Sequence, residues 1–344
     1  MQAVALTHYL PVTDPDAFHD VALDNPVPEG QDLLVAVHAV AVNPVDTKVR
    51  RGLLNGPSDV EDPPRVLGYD ASGVVEAVGE AVTLFEVGDP VYYAGDITRS
   101  GTNAALHLVD ERIVGRKPAT LSHAEAAALP LTTITAYECF FDRLLIDRDG
   151  ASAGETILII GAGGGVGSIG IQLAKHAGLT VIATASRPET DAWVRELGAD
   201  HVVNHREDMV AQVRALGIQF VDHIAIFNDM GHWDAAVELI APQGGIVSID
   251  GTEDPMPMAA MKTKAASLHW EFMFTRAMFQ TPDMIAQHDL LSWAANEIDA
   301  GRLRTTLQTV LSPINAANMR EAHRQIEAGT AKGKIVLEGF GAPD

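Results

Sequence analysis

Over roughly the first 120 positions, apolar residues come in short bursts separated by Pro- and Gly-marked turns. "DLLVAVHAVAVN" has the β-branched density of a strand, and "SGVVEAVGEAV" and "DPVYYAG" follow it with glycine between them. From about Ser122 the pattern changes. "SHAEAAALPLTTITAYECFFDRL" predicts helix, opened by Ser122 and Glu125 in capping-box spacing. Beyond it "TILIIG", "TVIATA", "HVVN", "VDHIAIF", "GIVSID" and "SLHWEF" are apolar runs of strand length. Helical segments such as "SIGIQLAKHAG" and "ETDAWVRELGA" separate most of them, which implies a parallel, doubly wound α/β sheet of six strands. The tail from "TTLQTVL" to "GKIVLEGF" returns to isolated strands around one helix, as if rejoining the first domain.

The glycine run between the first two of these strands carries chemistry. A strand ends at Ile160, Gly161 to Gly167 turn the chain, and a helix is expected to open near Ser168, burying Ile169, Ile171, Leu173 and Ala174. Set against G-x-G-x-x-G, the register is Ala162, Gly164, Gly167, with alanine at the first position. Gly164 lets the backbone approach a pyrophosphate, Gly167 lets the helix pack on the strand, and the helix N-terminus supplies N–H donors to the anion. Strand before and helix after turn a weak motif into a dinucleotide-binding one. An acid about twenty residues past the loop would hold a ribose 2′-hydroxyl and repel a 2′-phosphate. That region of "VIATASRPET" has Ser186 and Arg187 instead, which favours NADPH over NADH. S-R-P-E also scans as a capping box with Ser186 as N-cap and Arg187 solvated, and the two readings are compatible.

Composition narrows the class. At 344 residues two domains are expected. A hydrophobic fraction of 47% with 20% charged fits a soluble enzyme. The single Cys139 excludes an intrachain disulfide or a four-cysteine zinc lobe and fits a reducing, cytoplasmic setting. "MQAVALTHYLPVTDPD" meets proline and aspartates too early for a signal peptide, and no apolar run is long enough to span a bilayer. A net charge of −22 argues against nucleic acid and anionic membrane as partners. An anionic cofactor therefore needs donors and cations gathered locally.

"AVNPVDTKVRRG", "VLGYDASGVVEAVG", "LPLTTITAYE", "GAGGGVGS", "GADHVVNH" and "GKIVLEGF", in this order, resemble the medium-chain dehydrogenase/reductase superfamily. The chain looks most similar to the zinc-free quinone oxidoreductase branch, related to zeta-crystallin and often labelled zinc-type alcohol dehydrogenase-like. The resemblance implies a GroES-like catalytic domain at 1–127 with 301–344 and a Rossmann domain at 128–300. In metal-dependent relatives a cysteine, a histidine and a second cysteine hold catalytic zinc. Matching motifs places Asn43, Tyr69 and Leu131 there, so no metal is expected, although Asp46 and Asp70 lie nearby in sequence.

Without a Lewis acid, reduction of a quinone or an α,β-unsaturated carbonyl is the expected chemistry, because the substrate's own carbonyl accepts the charge when hydride arrives. Asn43 is a candidate donor to that oxygen, Tyr69 a donor or proton source, and Asp46 an orienting carboxylate. A turn-shaping Asn43, a core Tyr69 and a structural Asp46 are the competing readings.

The resemblance places Thr135 near the nicotinamide. Gly163, Gly164, Gly165 and Val166, with Gly167 behind them, fall on the pyrophosphate, and His205 at the adenosine end. Asn228 follows the fourth strand, Asp250, Gly251 and Thr252 lie by the nicotinamide ribose, and Lys334 reaches a phosphate. Lys48 departs from a tyrosine some relatives carry. Loops at Leu53 to Pro64 and Phe272 to Gln280 are expected to shape the pocket. "ASLHWEFMFTRAMFQTPDM" reads as pocket, as core packing, or as the edge of a homodimer or a larger oligomer. A cofactor-binding protein of crystallin or sensor type is the alternative function, and a zinc alcohol dehydrogenase is disfavoured.

Overall fold

The computed structural model describes residues 1–52 and 60–341. The expected pocket loop at Leu53 to Pro64 thus lies, as far as position 59, outside the described residues. The chain divides into two compact units: 1–131 with 274–344, and 132–273.

The second unit is the doubly wound sheet. Its strands run in the order His201–Val203, Thr180–Thr184, Thr156–Ile160, Val221–Ile226, Ile240–Ser248, Ser267–Trp270, and every pairing is parallel. Both faces of these strands are covered, which is why they read as near-continuous apolar runs. Leu158, Ile160, Ile182, Ile224, Ile226 and Ile246 meet Trp233 and Leu239 in one fully packed layer. The chain winds to one side of Thr156–Ile160 and then to the other, and Gly161 passes close to Asn228 at that switch point.

The first unit is β-rich. Strands Leu307–Leu311, Lys334–Glu338, Asp32–Val42, Ala71–Val78, Pro90–Tyr93 and Val114–Arg116 follow one another across a sheet, with Leu106–Asp110 also paired to Asp32–Val42. A smaller sheet joins His19–Ala22, Gln2–His8 and Val60–Val66. The tail rejoins this unit as expected: Ile335 to Glu338 pair with Ala39 to Val42. The helix Ala316–Glu327 turns Ala316, Met319, Ala322 and His323 inward at helical spacing.

The domain limits differ from expectation. The return to the first unit comes at 274 rather than 301, and the second unit begins at 132 rather than 128. The helix Ala286–Asp299 is the reason. It lies against Val114–Arg116, where Gly115 leaves room for Leu291, the Leu291 carbonyl accepts from Tyr92 Oη at 2.6 Å, and His288 Nδ1 sits 2.7 Å from the Val114 carbonyl oxygen.

Two histidines of this unit are fully buried and held neutral. Burial lowers His107 to about 4 and His323 to about 3, and Arg50 adds to the effect on His323. A folded-state pKa below the unfolded value of about 6.5 contributes stability that is present above pH 6.5 and lost as pH falls toward the folded value. Neither ring nitrogen of His323 has a hydrogen-bond partner. His323→Leu should therefore cost little at pH 7 and remove about 2 kcal/mol of the stability loss between pH 7 and pH 5, checked by denaturant melts at both pH values.

Candidate active site

In the first unit a polar cluster is sealed inside the protein. Gly68, at φ +108, turns the chain after Val60–Val66; a Cβ there would strike Thr102 Oγ1 at 2.5 Å, so only glycine delivers Tyr69 and Asp70 inward. Asp70 is fully buried, and the Lys334 ammonium donates to its Oδ2 at 2.8 Å. Its Oδ1 accepts from the Leu131 N–H at 2.7 Å, and Oδ2 accepts from Asn43 Nδ2 at 2.9 Å. Lys334 Nζ also donates to Asn43 Oδ1 and to the Val42 carbonyl at 3.3 Å. Pro44 at N1 starts the helix Pro44–Arg50 directly after Asn43, and the Asp46 carboxylate reaches back to accept the Asn43 N–H at 2.7 Å.

Two expectations change here. Asn43 was expected to donate to a substrate oxygen. Its amide is spent inside the protein, since Nδ2 donates to Asp70 and, at 3.4 Å, to the Ala41 carbonyl while Oδ1 accepts from Lys334. Lys334 was expected to reach a phosphate, but its side chain is 3% exposed and ion-paired to Asp70. A buried carboxylate separated from Lys334 by 264 positions captured the ammonium.

Asp46 and Tyr69 remain as titratable groups of that cluster. Burial raises the Asp46 carboxyl to about 7; the Asn43 N–H and Lys334 pull it down and Asp70 pushes it up. Burial and then the Asp46 charge hold the Tyr69 phenol well above its ordinary value, and Arg65 opposes them. Phe274, from the expected pocket segment, meets the Tyr69 ring edge-on at 5.2 Å. Arg65 donates to Tyr9 Oη at 3.0 Å, and Tyr9 donates to Glu61. No local pattern marks this Tyr9–Arg65 contact, because it joins a loop to a distant strand.

In the second unit the glycine turn is built for an anion. The helix Gly165–His176 opens at Gly165, with Gly164 as N-cap, three residues earlier than the apolar pattern suggested. The N–H groups of Gly165, Val166 and Gly167 therefore have no intrahelical acceptor. A Cβ on Gly167 would lie 2.5 Å from Ala162 Cα, and one on Gly164 would meet only the Gly161 carbonyl, at 3.5 Å. Gly167 fixes the helix on the strand while Gly164 leaves the backbone open to approach. Gly163 packs against Thr190.

Along the same sheet end, Asn228 Oδ1, His205 Nδ1 and Thr190 Oγ1 are buried without hydrogen-bond partners. Such orphaned atoms fit a missing polar ligand. Ser186 and Arg187 follow the second strand, but Arg187 is the N-cap of the helix Pro188–Glu196, not Ser186, because Pro188 takes the first helical position. Arg187 Nε stands 3.4 Å from Glu189. Burial lowers His205 first; the neighbouring His232, Arg206 and Arg187 lower it further and Asp229 opposes them, so two arginines and one carboxylate stand near this ring. Arg206 was missed in the sequence, although its place just beyond the third strand was the available signal. Asp250 follows the fifth strand and its carboxylate accepts the Gly251 N–H at 3.1 Å; Thr252 is exposed. Thr135 is buried on the helix Pro130–Tyr137.

Residues 29–130 match the family model described as "Alcohol dehydrogenase GroES-like domain", and residues 197–337 match "Zinc-binding dehydrogenase". A zinc-type alcohol dehydrogenase-like protein of Staphylococcus aureus is 44% identical over 91% of this chain and 92% of its own length. The chain belongs to the medium-chain dehydrogenase/reductase superfamily. A 2-methylene-furan-3-one reductase of Solanum lycopersicum is 30% identical over 89% of this chain and 71% of its length. The crystal structure of a Rhizobium etli protein, provisionally described as a zinc-dependent alcohol dehydrogenase, superposes with a TM-score of 0.93 at 52% identity, covering 99% of both chains.

This superfamily uses nicotinamide cofactors, and the glycine turn with its orphaned neighbours fits one. Zinc does not fit. Of the three positions, Leu131 offers an alkyl group, Tyr69 a phenol held far from ionisation, and Asn43 an amide already bonded to an ammonium. That ammonium repels any second cation. Among the described residues no three His, Cys, Asp or Glu side chains group as metal ligands. Gly167→Ala should push the helix off the strand and weaken dinucleotide binding at least about tenfold, measured by quenching of reduced-nicotinamide fluorescence, with the far-ultraviolet circular dichroism kept as a folding control.

Proposed function

We propose that this protein is an NADPH-dependent reductase of quinones or α,β-unsaturated carbonyl compounds that works without a metal. The observation that carries the reading is the make-up of the cluster at Asn43, Asp46, Tyr69, Asp70 and Lys334: it offers a proton and fixed charge where metal-dependent relatives offer a Lewis acid. Alcohol oxidation needs an alkoxide to be stabilised, and this set of groups does that poorly. Reduction of a conjugated carbonyl needs hydride at one carbon and a proton afterwards, since the charge first delocalises onto the substrate oxygen. The likeness to a 2-methylene-furan-3-one reductase favours the same substrate class.

When bound, a reduced nicotinamide supplies the hydride. The N–H groups of Gly165, Val166 and Gly167 would hold its pyrophosphate, and Asn228, His205 and Thr190 its sugar and base hydroxyls and amides. Arg187 and Arg206 would hold the 2′-phosphate, with Ser186 beside them; two cations near one histidine suit a dianion better than a neutral hydroxyl. Asp250, Gly251 and Thr252, at the end of the fifth strand, and Thr135 complete the set at the nicotinamide side.

A homodimer belongs to this reading. The strand Ser267–Trp270 pairs on one side with Ile240–Ser248, and Trp270 is half exposed, so a second copy could cover it. No helix among the described residues is long and apolar enough to cross a membrane. A cytoplasmic setting is proposed on the single buried cysteine.

The test is consumption of NADPH against a panel of quinones and enones. Turnover is expected with at least one acceptor; fluorescence quenching without consumption across the panel would favour a binding protein. Arg187→Ala and Arg206→Ala should each raise the KM for NADPH about tenfold or more while changing that for NADH less than about threefold. Equal effects on both cofactors would remove the 2′-phosphate assignment.

A further inference from the structure

We propose that the second unit holds a ligand site of its own, apart from the dinucleotide's: a cavity beside Trp233 that takes a neutral, flat aromatic molecule carrying one hydrogen-bond acceptor. The proposal does not rest on the reductase reading. The cavity has a volume of about 440 Å³, inside the range of small-molecule sites. Phe220, Trp233, Val237, Pro257 and Ala260 form its apolar wall. Trp233 and Val237 stand four positions apart on the helix Trp233–Leu239 and so share a face.

Its place in the fold keeps it away from the dinucleotide. Phe220 directly precedes the strand Val221–Ile226 and Asn228 lies beyond its end, so the length of that strand, about 20 Å, runs between them. Lys264 belongs to the Phe220 end, where its Nζ stands 4.7 Å over the ring centroid. Open sheets of this kind hold dinucleotides at the opposite, carboxyl ends of their strands.

An orphaned donor says what the ligand must carry. Trp233 is 5% exposed, and its Nε1–H has no hydrogen-bond partner among the described residues. Buried indole N–H groups ordinarily find one. The indole donates and accepts nothing, so an acceptor oxygen on the ligand is the partner it lacks.

Charge says what the ligand must not carry. Arg214 and Lys264 bring two cations to the lining, and Asp234 and Glu238 bring two carboxylates. Arg214 Nη2 lies 2.8 Å from Glu238 Oε1. The Lys264 ammonium donates to the carbonyls of Val237, Glu238 and Ile240 at 2.9, 2.8 and 2.7 Å, where the end of the helix leaves carbonyls without intrahelical partners. An ammonium has three donors, so none is left for an anion. An anionic ligand would have to break these contacts and a cationic one would face both cations, whereas a neutral ring meets neither cost. Phe220 is 39% exposed, and an aromatic ring laid between it and Trp233 covers that surface.

The test uses the full chain without cofactor and acetonaphthone, a neutral two-ring ketone, as the probe. Binding is followed by calorimetry and by the Trp233 indole N–H resonance, which Trp233→Phe assigns. One saturable site is expected, with the resonance moving downfield as the hydrogen bond forms. Trp233→Phe keeps a ring but removes the donor; it should weaken acetonaphthone about fivefold more than ethylnaphthalene, which has the same rings and no acceptor. Naphthoate, the same rings with a negative charge, should bind at least about tenfold more weakly than the ketone. Ala260→Trp fills the cavity from an exposed position. It should abolish ketone binding and leave the affinity for NADPH within about twofold, because sites that share no partner act independently.

Absence of a saturable site overturns the proposal. So does displacement of the ketone by NADPH, naphthoate binding as tightly as the ketone, or an equal loss of ketone and hydrocarbon in Trp233→Phe. Should Trp233→Phe not fold, Ala260→Trp decides: unchanged ketone binding there overturns the site, and lost binding with NADPH affinity intact upholds it.

Discussion

The contact on which the first unit depends is the ion pair between Lys334 and Asp70. Both groups lie in the interior, and a pair of bare charges there costs several kcal/mol per ion in lost hydration. What offsets that cost is completeness. Asp70 receives the ammonium, the Leu131 N–H and the Asn43 amide, while Lys334 gives its protons to Asp70, Asn43 and the Val42 carbonyl. Removing either partner alone would leave the other charged and unmatched, at a cost of about 3–5 kcal/mol. The pair also has a topological effect: it ties the first residue of the last strand to the turn before Ala71–Val78 and to the end of Asp32–Val42, so the returning tail is pinned at one register.

How much of this was legible in the sequence follows from the range of each interaction. Local signals carried well. Ser122 and Glu125 form the capping box that their spacing announced, and all six apolar runs became parallel strands. Signals one turn long carried less well. The glycines of Gly165–His176 hid the first turn of that helix, because a low helix propensity counts for little where N–H groups need no partner. Pro188 outvoted Ser186 for the N-cap of the next helix. Contacts between distant segments carried least. Nothing near Lys334 tells that a carboxylate hundreds of positions earlier will claim it, and the resemblance to relatives pointed to a phosphate instead. Arg206 was missed for the same reason, since parallel pairing brings the ends of neighbouring strands together whatever lies between them in the chain.

Charge gives the two units different problems. The chain carries a net −22, yet the dinucleotide expected on the second unit is itself an anion. Long-range steering therefore works against binding, and affinity has to come from short-range groups: backbone N–H donors at the start of Gly165–His176 and the arginines near His205. Burial gives the first unit the reverse problem, because three ionisable groups, Asp46, Asp70 and Lys334, share an interior in which none is more than 3% exposed. One carboxyl, Asp46, resolves it by holding its proton near neutrality.

The side chains at Asn43, Tyr69 and Leu131 and the buried Lys334 ammonium both work against a divalent ion. A divalent ion would bring two positive charges to this interior and would need thiolate or imidazole donors; the chain supplies Asn43, Tyr69 and Leu131 in their place. A lysine brings a single charge, donates three hydrogen bonds in fixed directions, and accepts none. It can neutralise Asp70 but has no open coordination position with which to polarise an alcohol. What the cluster holds is one matched charge pair and one carboxyl, Asp46, which burial raises to about 7. Asn43 fits this arrangement, because an amide can bridge an ammonium and a carboxylate at once, and a cysteine thiol, a weak donor and acceptor, would leave both short of a partner.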